Sequence, residues 1–145
     1  MYLDSAIIVK LFTAEVDSWF YSELVEGRSD IVVSNLSVPE CRSAVLRKLD
    51  YGELDAATCE TALSKINDFL FAGFYAEIMW MDSKIINRAA EFISQCHGRA
   101  PLRTLDALHI SSCVAAGAFP LVTNDKIMRR AATLLGVPLM ELPHF

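Results

Sequence analysis

Four carboxylates in this chain stand where a parallel α/β sheet would gather them. Asp4 directly follows an opening apolar segment, and Glu40 lies in the first turn of a helix starting at Ser37. Asp106 lies in the first turn of a helix starting at Thr104, and Asp125 follows Leu121-Val122-Thr123-Asn124. Each acid has a structural explanation of its own. Glu40 completes a capping box with Ser37, Asp106 and Asp125 complement helix dipoles, and Asp4 caps the first helix. Converged, the four would do something different. Two carboxylates about 4 Å apart repel by roughly 4 kcal/mol at an effective dielectric near 20, so four cannot stay ionised without counter-charge. Hard oxygen donors of this kind take Mg2+ or Mn2+, and a water on such an ion is a nucleophile toward phosphorus. Such an acidic set, beside bases and without His or Cys ligands, suits phosphodiester hydrolysis.

The elements that must position these acids follow from the apolar pattern. Tyr2-Leu3 reads as a strand, followed by a helix from Ser5 with Ile7, Ile8, Leu11 and Phe12 on one side, and by a second helix over Val16 to Val25. Ile31-Val32-Val33 is a short buried strand, and a helix then runs from Ser37 to Tyr51, with Pro39 in its first turn. Ala56 to Phe71 is helical, Tyr75 to Trp80 a strand, and Asp82 caps a helix to Cys96. Thr104 caps a helix to Ala116, Leu121-Val122 is a strand, Asp125 to Leu135 a helix, and Leu139 to Leu142 a last strand. Strands alternating with helices or helix pairs specify an α/β domain with a mainly parallel sheet. The expectation is a three-layer α/β/α sandwich around five short strands, in one domain over residues 1–145. In such sheets, ligands bind beyond the carboxyl ends of the strands, where all four acids fall.

Composition narrows the setting. The chain has 145 residues, 53% of them hydrophobic and 21% charged, with a net charge of −5. That size supports one real core, and the profile is not that of a disordered chain. No apolar run approaches the ~20 residues that span a bilayer. Asp4 interrupts any signal-peptide pattern, so the expectation is a cytoplasmic protein without membrane contact. The acidic total hides an asymmetry. Six acids and only Arg28 lie between Leu11 and Glu40, whereas Arg42, Arg47 and Lys48 are unopposed between Cys41 and Lys48. From Arg99 onward there are five bases against three acids. An acidic chain can therefore still turn a basic face to phosphate, although solvated helix faces explain the same pattern. Cys41, Cys59, Cys96 and Cys113 form no close pair, so reduced and mostly buried thiols are expected rather than disulfides or zinc.

Four blocks carry a resemblance to a known family. They are Tyr2-Leu3-Asp4-Ser5-Ala6, Val38-Pro39-Glu40-Cys41-Arg42-Ser43-Ala44, Leu102-Arg103-Thr104-Leu105-Asp106-Ala107-Leu108-His109 and Leu121-Val122-Thr123-Asn124-Asp125. In order and spacing they resemble PIN-domain ribonucleases, and within them the VapC-type toxins of toxin–antitoxin pairs. The opening block is weakly specific, the third much more so, and the likeness runs the length of the chain. It implies an α/β/α sandwich around a five-stranded parallel sheet and a Mg2+- or Mn2+-dependent endoribonuclease. It further implies a homodimer silenced by a small antitoxin. The family's acidic cluster maps onto Asp4, Glu40, Asp106 and Asp125, all present here, with Ser5 and Thr123 as supporting hydroxyls. Asn124, at a position that varies in the family, either adds a ligand oxygen or shapes the turn.

The roles implied are specific. Asp4, Glu40 and Asp106 would hold a first metal, and Asp125 would complete the set or orient the attacking water. In-line attack would leave a 5′-phosphate and a 3′-hydroxyl. Arg103 is a candidate for the scissile phosphate, and Arg42 and Arg129 are weaker ones; surface solvation is the competing reading for each. His109, three residues beyond Asp106, can reach the site but reads first as a hydrogen-bonding residue at the helix–sheet boundary. Phe69, Phe71, Phe74, Tyr75 and Trp80 read as core or a dimer face before they read as base-stacking rings. Of the consecutive Trp19, Phe20 and Tyr21, at least one must point outward, toward a partner. A receiver domain is excluded by the single Asp4 after the first strand and the lack of a Lys after the fifth. A haloacid-dehalogenase phosphatase is excluded because no D-x-D follows that strand. The remaining alternative is a PIN fold that only binds RNA or serves as a scaffold.

Overall fold

The computed structural model describes residues 1–143. In chain order the elements are β1 (Tyr2–Leu3), α1 (Ser5–Phe12), α2 (Ser18–Val25), β2 (Val32–Ser34), α3 (Ser37–Asp50) and α4 (Ala56–Phe71). They continue with β3 (Glu77–Met79), α5 (Ser83–Cys96), α6 (Thr104–Ala116), β4 (Leu121–Val122) and α7 (Lys126–Leu134). The strands form one parallel sheet in the order β3-β2-β1-β4, with Tyr2 opposite both Val32 and Leu121.

Period-two alternation along the strands builds the layers. Leu3, Val33 and Val122 point into a core shared with α1, α2, α3 and α4, among Ile7, Ile8, Tyr21, Val45 and Ile66. Tyr2, Val32 and Leu121 point the other way, into a second core with α5, α6 and α7, among Ala89, Ile110, Cys113 and Ala131. The α/β/α sandwich expected from the sequence is thus observed.

The fifth strand is a correction. Leu139 makes one isolated parallel bridge to Leu121, fastened by Leu121 N–H on Pro138 O and Met140 N–H on Leu121 O, so four strands and a bridge replace the expected five. The segment after α7 runs alongside β4 for too few residues to form a ladder. β3 is also shorter than Tyr75 to Trp80. It lies at the sheet edge, where Glu77 is exposed, so apolar content alone overstated its length. Among the aromatics around it, only Phe69 is core; Phe71, Phe74, Tyr75 and Trp80 are exposed. Tyr21 is fully buried and Trp19 faces outward.

Four of the helices start on an aspartate whose side chain accepts from a backbone N–H three residues on. These are Asp4 for α1, Asp55 for α4, Asp82 for α5 and Asp125 for α7. Each such cap satisfies a donor that the helix leaves unpaired and contributes about 1 kcal/mol. The expected caps at Ser37 and Thr104 are not formed. α3 has Leu36 and α6 has Arg103 at the N-cap, neither with a side-chain cap bond. All four cysteines are free and buried. No helix among the described residues is long and apolar enough to cross a membrane.

Candidate active site

The sheet order places β1 and β4 side by side although most of the chain separates them, so the crossover direction reverses between these two strands. The carboxyl ends of such a pair open a crevice that adjoining loops do not fill. Asp4 stands at the end of β1, its N–H bonded to Val122 O at 3.1 Å, and is 3% exposed. Its Oδ1 accepts from Ile7 N–H at 3.0 Å. Thr123, at the end of β4 and fully buried, accepts from Asp125 N–H at 3.1 Å, and its hydroxyl favours the ionised form of Asp4. One threonine therefore bonds the acid after β4 and acts electrostatically on the acid after β1. Burial pushes the Asp4 carboxyl above its ordinary range, because Thr123, His109 and Ile7 only partly offset the lost hydration; the charge of Glu40 adds to the rise.

Glu40 and His109 close the crevice from opposite layers. Glu40 comes from α3 on one face of the sheet and His109 from α6 on the other. His109 Nε2 lies 2.6 Å from Glu40 Oε2, and Ser5 Oγ donates to the same oxygen while lying 3.1 Å from Ser37 Oγ. His109 Nδ1 stands 2.8 Å from the hydroxyl of Tyr2, which is wholly buried. In one consistent proton arrangement, Tyr2 donates to Nδ1 and the Nε2–H donates to Glu40. Burial raises the Glu40 carboxyl, but His109 and Ser5 outweigh it and hold it below its ordinary range. The capping box expected of Glu40 is therefore overturned: its carboxylate is drawn to a hydroxyl and an imidazole across the site.

Asp106 and Asp125 form a second pair. Arg103 Nε donates to Asp106 Oδ2 at 3.1 Å, and its Nη2 reaches Asp125 Oδ2 at 3.4 Å. The remaining oxygen of Asp125 accepts from Met128 N–H at 2.8 Å to cap α7. The four acids thus stand as two pairs, Asp4 and Glu40 beside His109, and Asp106 and Asp125 under Arg103. In this arrangement no group of three or more His, Cys, Asp or Glu among the described residues is gathered tightly enough to hold a metal ion.

Donor chemistry still fits a divalent cation. All four acids offer hard oxygens, Asp4 is a buried carboxylate short of positive partners, and one guanidinium and one imidazole do not balance four carboxylates.

The structure separates the other candidates. Asn124 is exposed on the turn beside Asp125. Arg129 donates to Thr123 O and, with both terminal nitrogens, to Met140 O, so it fastens the end of the chain to the β4 turn. Arg42 is exposed and lines an open surface hollow with Cys59, Glu60 and Leu63 of α4, on a different side of α3 from Glu40. Of the three arginines, only Arg103 meets the acids. The underrated residue is His109. Its signal was present: it follows Asp106 by one helical turn, and it is buried in an otherwise apolar stretch, Ala107-Leu108-His109-Ile110.

Comparison with known proteins places the fold in a family. The PIN domain model matches residues 1–134. Ribonuclease VapC46 of Mycobacterium tuberculosis is 29% identical over 142 residues, covering 97% of this chain and 95% of that protein. Among solved structures, M. tuberculosis VapC20, a sarcin-ricin loop cleaving toxin, superposes with a TM-score of 0.69 at 12% identity, covering 90% of this chain and 93% of that one. VapBC2 from Rickettsia felis, bound to a DNA fragment from its promoter, gives 0.67 at 20% identity, covering 96% of both chains. At those identities the two structures speak for the fold. With the family model spanning β1 through α7 and all four acids at the carboxyl edge of the sheet, this chain belongs to the PIN domain family.

Proposed function

We propose that this chain is a Mg2+- or Mn2+-dependent endoribonuclease, acting as the toxin of a toxin–antitoxin pair. The observation that carries the reading is Asp4: a buried carboxylate at the carboxyl end of β1, beside Thr123 and raised further by the charge of Glu40. A carboxylate there costs stability unless something of opposite charge binds it. Asp4, Glu40, Asp106 and Asp125 would hold the ion, which supplies concentrated positive charge and an activated water when bound. Ile7 N–H holds the Asp4 carboxylate in place, while Ser5 and His109 hold Glu40. Arg103 is exposed at the rim beside the acids, where an RNA phosphate would lie. The likeness to Ribonuclease VapC46 over nearly the whole of both chains supports RNA as the substrate. The VapBC2 complex supports an antitoxin as the partner, and the family resemblance a homodimer.

The reading is tested by offering a mixed panel of structured and single-stranded RNAs to wild type and Asp4→Asn, with Mn2+ and with a chelator. Cleavage by wild type with metal alone, lost in Asp4→Asn by at least about a hundredfold, is expected. Cleavage that survives chelation, or that Asp4→Asn retains, would overturn the reading. RNA bound with no cleavage by any protein would mark a PIN fold used only for binding.

A further inference from the structure

The site contains a cation of its own. Arg103 is the N-cap of α6, where the helix dipole disfavours positive charge, and among the described residues its side-chain partners are Asp106 and Asp125. The bond to Asp125 spans 22 residues of sequence and joins the α6 and α7 starts. Asp125 commits Oδ1 to the cap of α7, which leaves Oδ2 for any ligand, and Oδ2 is the atom that faces the guanidinium. A divalent ion and Arg103 therefore contest the same oxygen. The arginine side chain is 66% exposed, so nothing packed around it prevents its departure.

We infer that Arg103 is a resident counter-ion of the acidic site, displaced from Asp106 and Asp125 when a divalent cation enters. In the metal-free chain it keeps two neighbouring carboxylates from repelling. After loading, its five N–H donors are released at the rim of the site, in a fork that matches a phosphodiester. The inference rests on the metal-dependent reading above and adds a competition to it.

The competition has a sign that a purely structural role lacks. An arginine that only braces the α6 and α7 starts would help to hold the acids for an ion, so its loss would weaken metal binding. A competing counter-ion does the opposite. One charge removed at about 6 Å from a divalent ion in a water-like dielectric corresponds to roughly tenfold in affinity. Calorimetric titration with Mn2+ alone, at low salt and without RNA, reads this directly in wild type, Arg103→Gln, Arg103→Lys and Arg130→Gln. Arg130, exposed on α7, controls for the change in net charge. Arg103→Gln is expected to bind Mn2+ about three- to tenfold tighter than wild type and tighter than Arg130→Gln, with the gain shrinking as salt is raised. Arg103→Lys keeps the charge but not the fork, and should fall between. Equal or weaker binding by Arg103→Gln overturns the counter-ion role while leaving a metal-binding nuclease intact. No Mn2+ binding by wild type overturns both. On the wild-type protein, the Arg103 Nε–H resonance should move toward its solvent-exposed position as Mg2+ is added. A resonance unmoved at saturating Mg2+ overturns the displacement irrespective of how the variants fold.

Discussion

At the scale of single residues, two carboxyls of the candidate site have been driven away from their ordinary ranges in opposite directions. Asp4 is the clearest case. Its carboxyl is raised from 3.8 by burial, so between 3.8 and its folded value the unfolded chain releases the proton first, and native stability falls as pH rises through that window. Glu40 runs the other way. Burial alone would raise it, but His109 and Ser5 bring it below 4.5, so its contribution is present above 4.5 and lost as pH falls through the folded value. Asp4→Asn keeps an oxygen for Ile7 N–H and a polar group for Thr123 while removing the buried charge. The metal-free variant is therefore expected to melt at or above the wild-type temperature at pH 7, with the advantage vanishing near pH 4. Thermal melts at both pH values check this, and a variant less stable at pH 7 than wild type would mean Asp4 is not under strain. The four acids were legible in the sequence because strand ends and helix starts are marked by local signals. The His109–Glu40 contact was not, because it joins residues 69 positions apart across two layers, and no local pattern encodes such a pairing.

At the scale of elements, helix caps serve the site as well as the helices. Asp4 and Asp125 each spend one oxygen on a backbone N–H, which leaves the other outside the helix cap. The two duties of Asp125 separate by mutation. Asp125→Asn retains the cap and should leave stability within about 0.5 kcal/mol of wild type, whereas Asp125→Ala should lose about 1 kcal/mol. Both should lose RNA cleavage; denaturant titration beside an activity assay distinguishes the two effects. α3 shows where reading the sequence for caps failed. Ser-x-x-Glu at Ser37 to Glu40 fits a capping box, yet the Ser37 hydroxyl meets Ser5 and Glu40 meets Ser5 and His109, so tertiary partners outcompeted the local motif. The strand after α7 failed for a related reason. Its apolar residues do face the sheet at Leu139, but pairing beyond one bridge needs a partner longer than the two residues of β4.

At the scale of the whole molecule, the fold is a clamp with the site on its seam. One core packs α1 to α4 on the sheet and the other packs α5 to α7, and Glu40 and His109 reach from the two helical layers to meet over its carboxyl edge. Alternation of apolar residues along β1, β2 and β4 made these layers legible from sequence, since Tyr2 and Leu3, or Val32 and Val33, must face opposite ways. Because a bound ion would bridge acids from both layers, it should stabilise the whole fold. At a free concentration a hundredfold above its dissociation constant, Mn2+ should add about 2.7 kcal/mol and raise Tm by roughly 5–10 °C, with reversal by chelator and no effect on Asp4→Asn. The central claim is that metal-supported water, not a neighbouring ribose hydroxyl, cleaves the RNA. Identification of the product ends tests it most directly, all the more because His109 bonded to Glu40 within the site offers a competing acid–base pair. Products carrying 5′-phosphate and 3′-hydroxyl, formed only with Mg2+ or Mn2+, are the predicted result. A 2′,3′-cyclic phosphate, or cleavage in the presence of chelator, would contradict it.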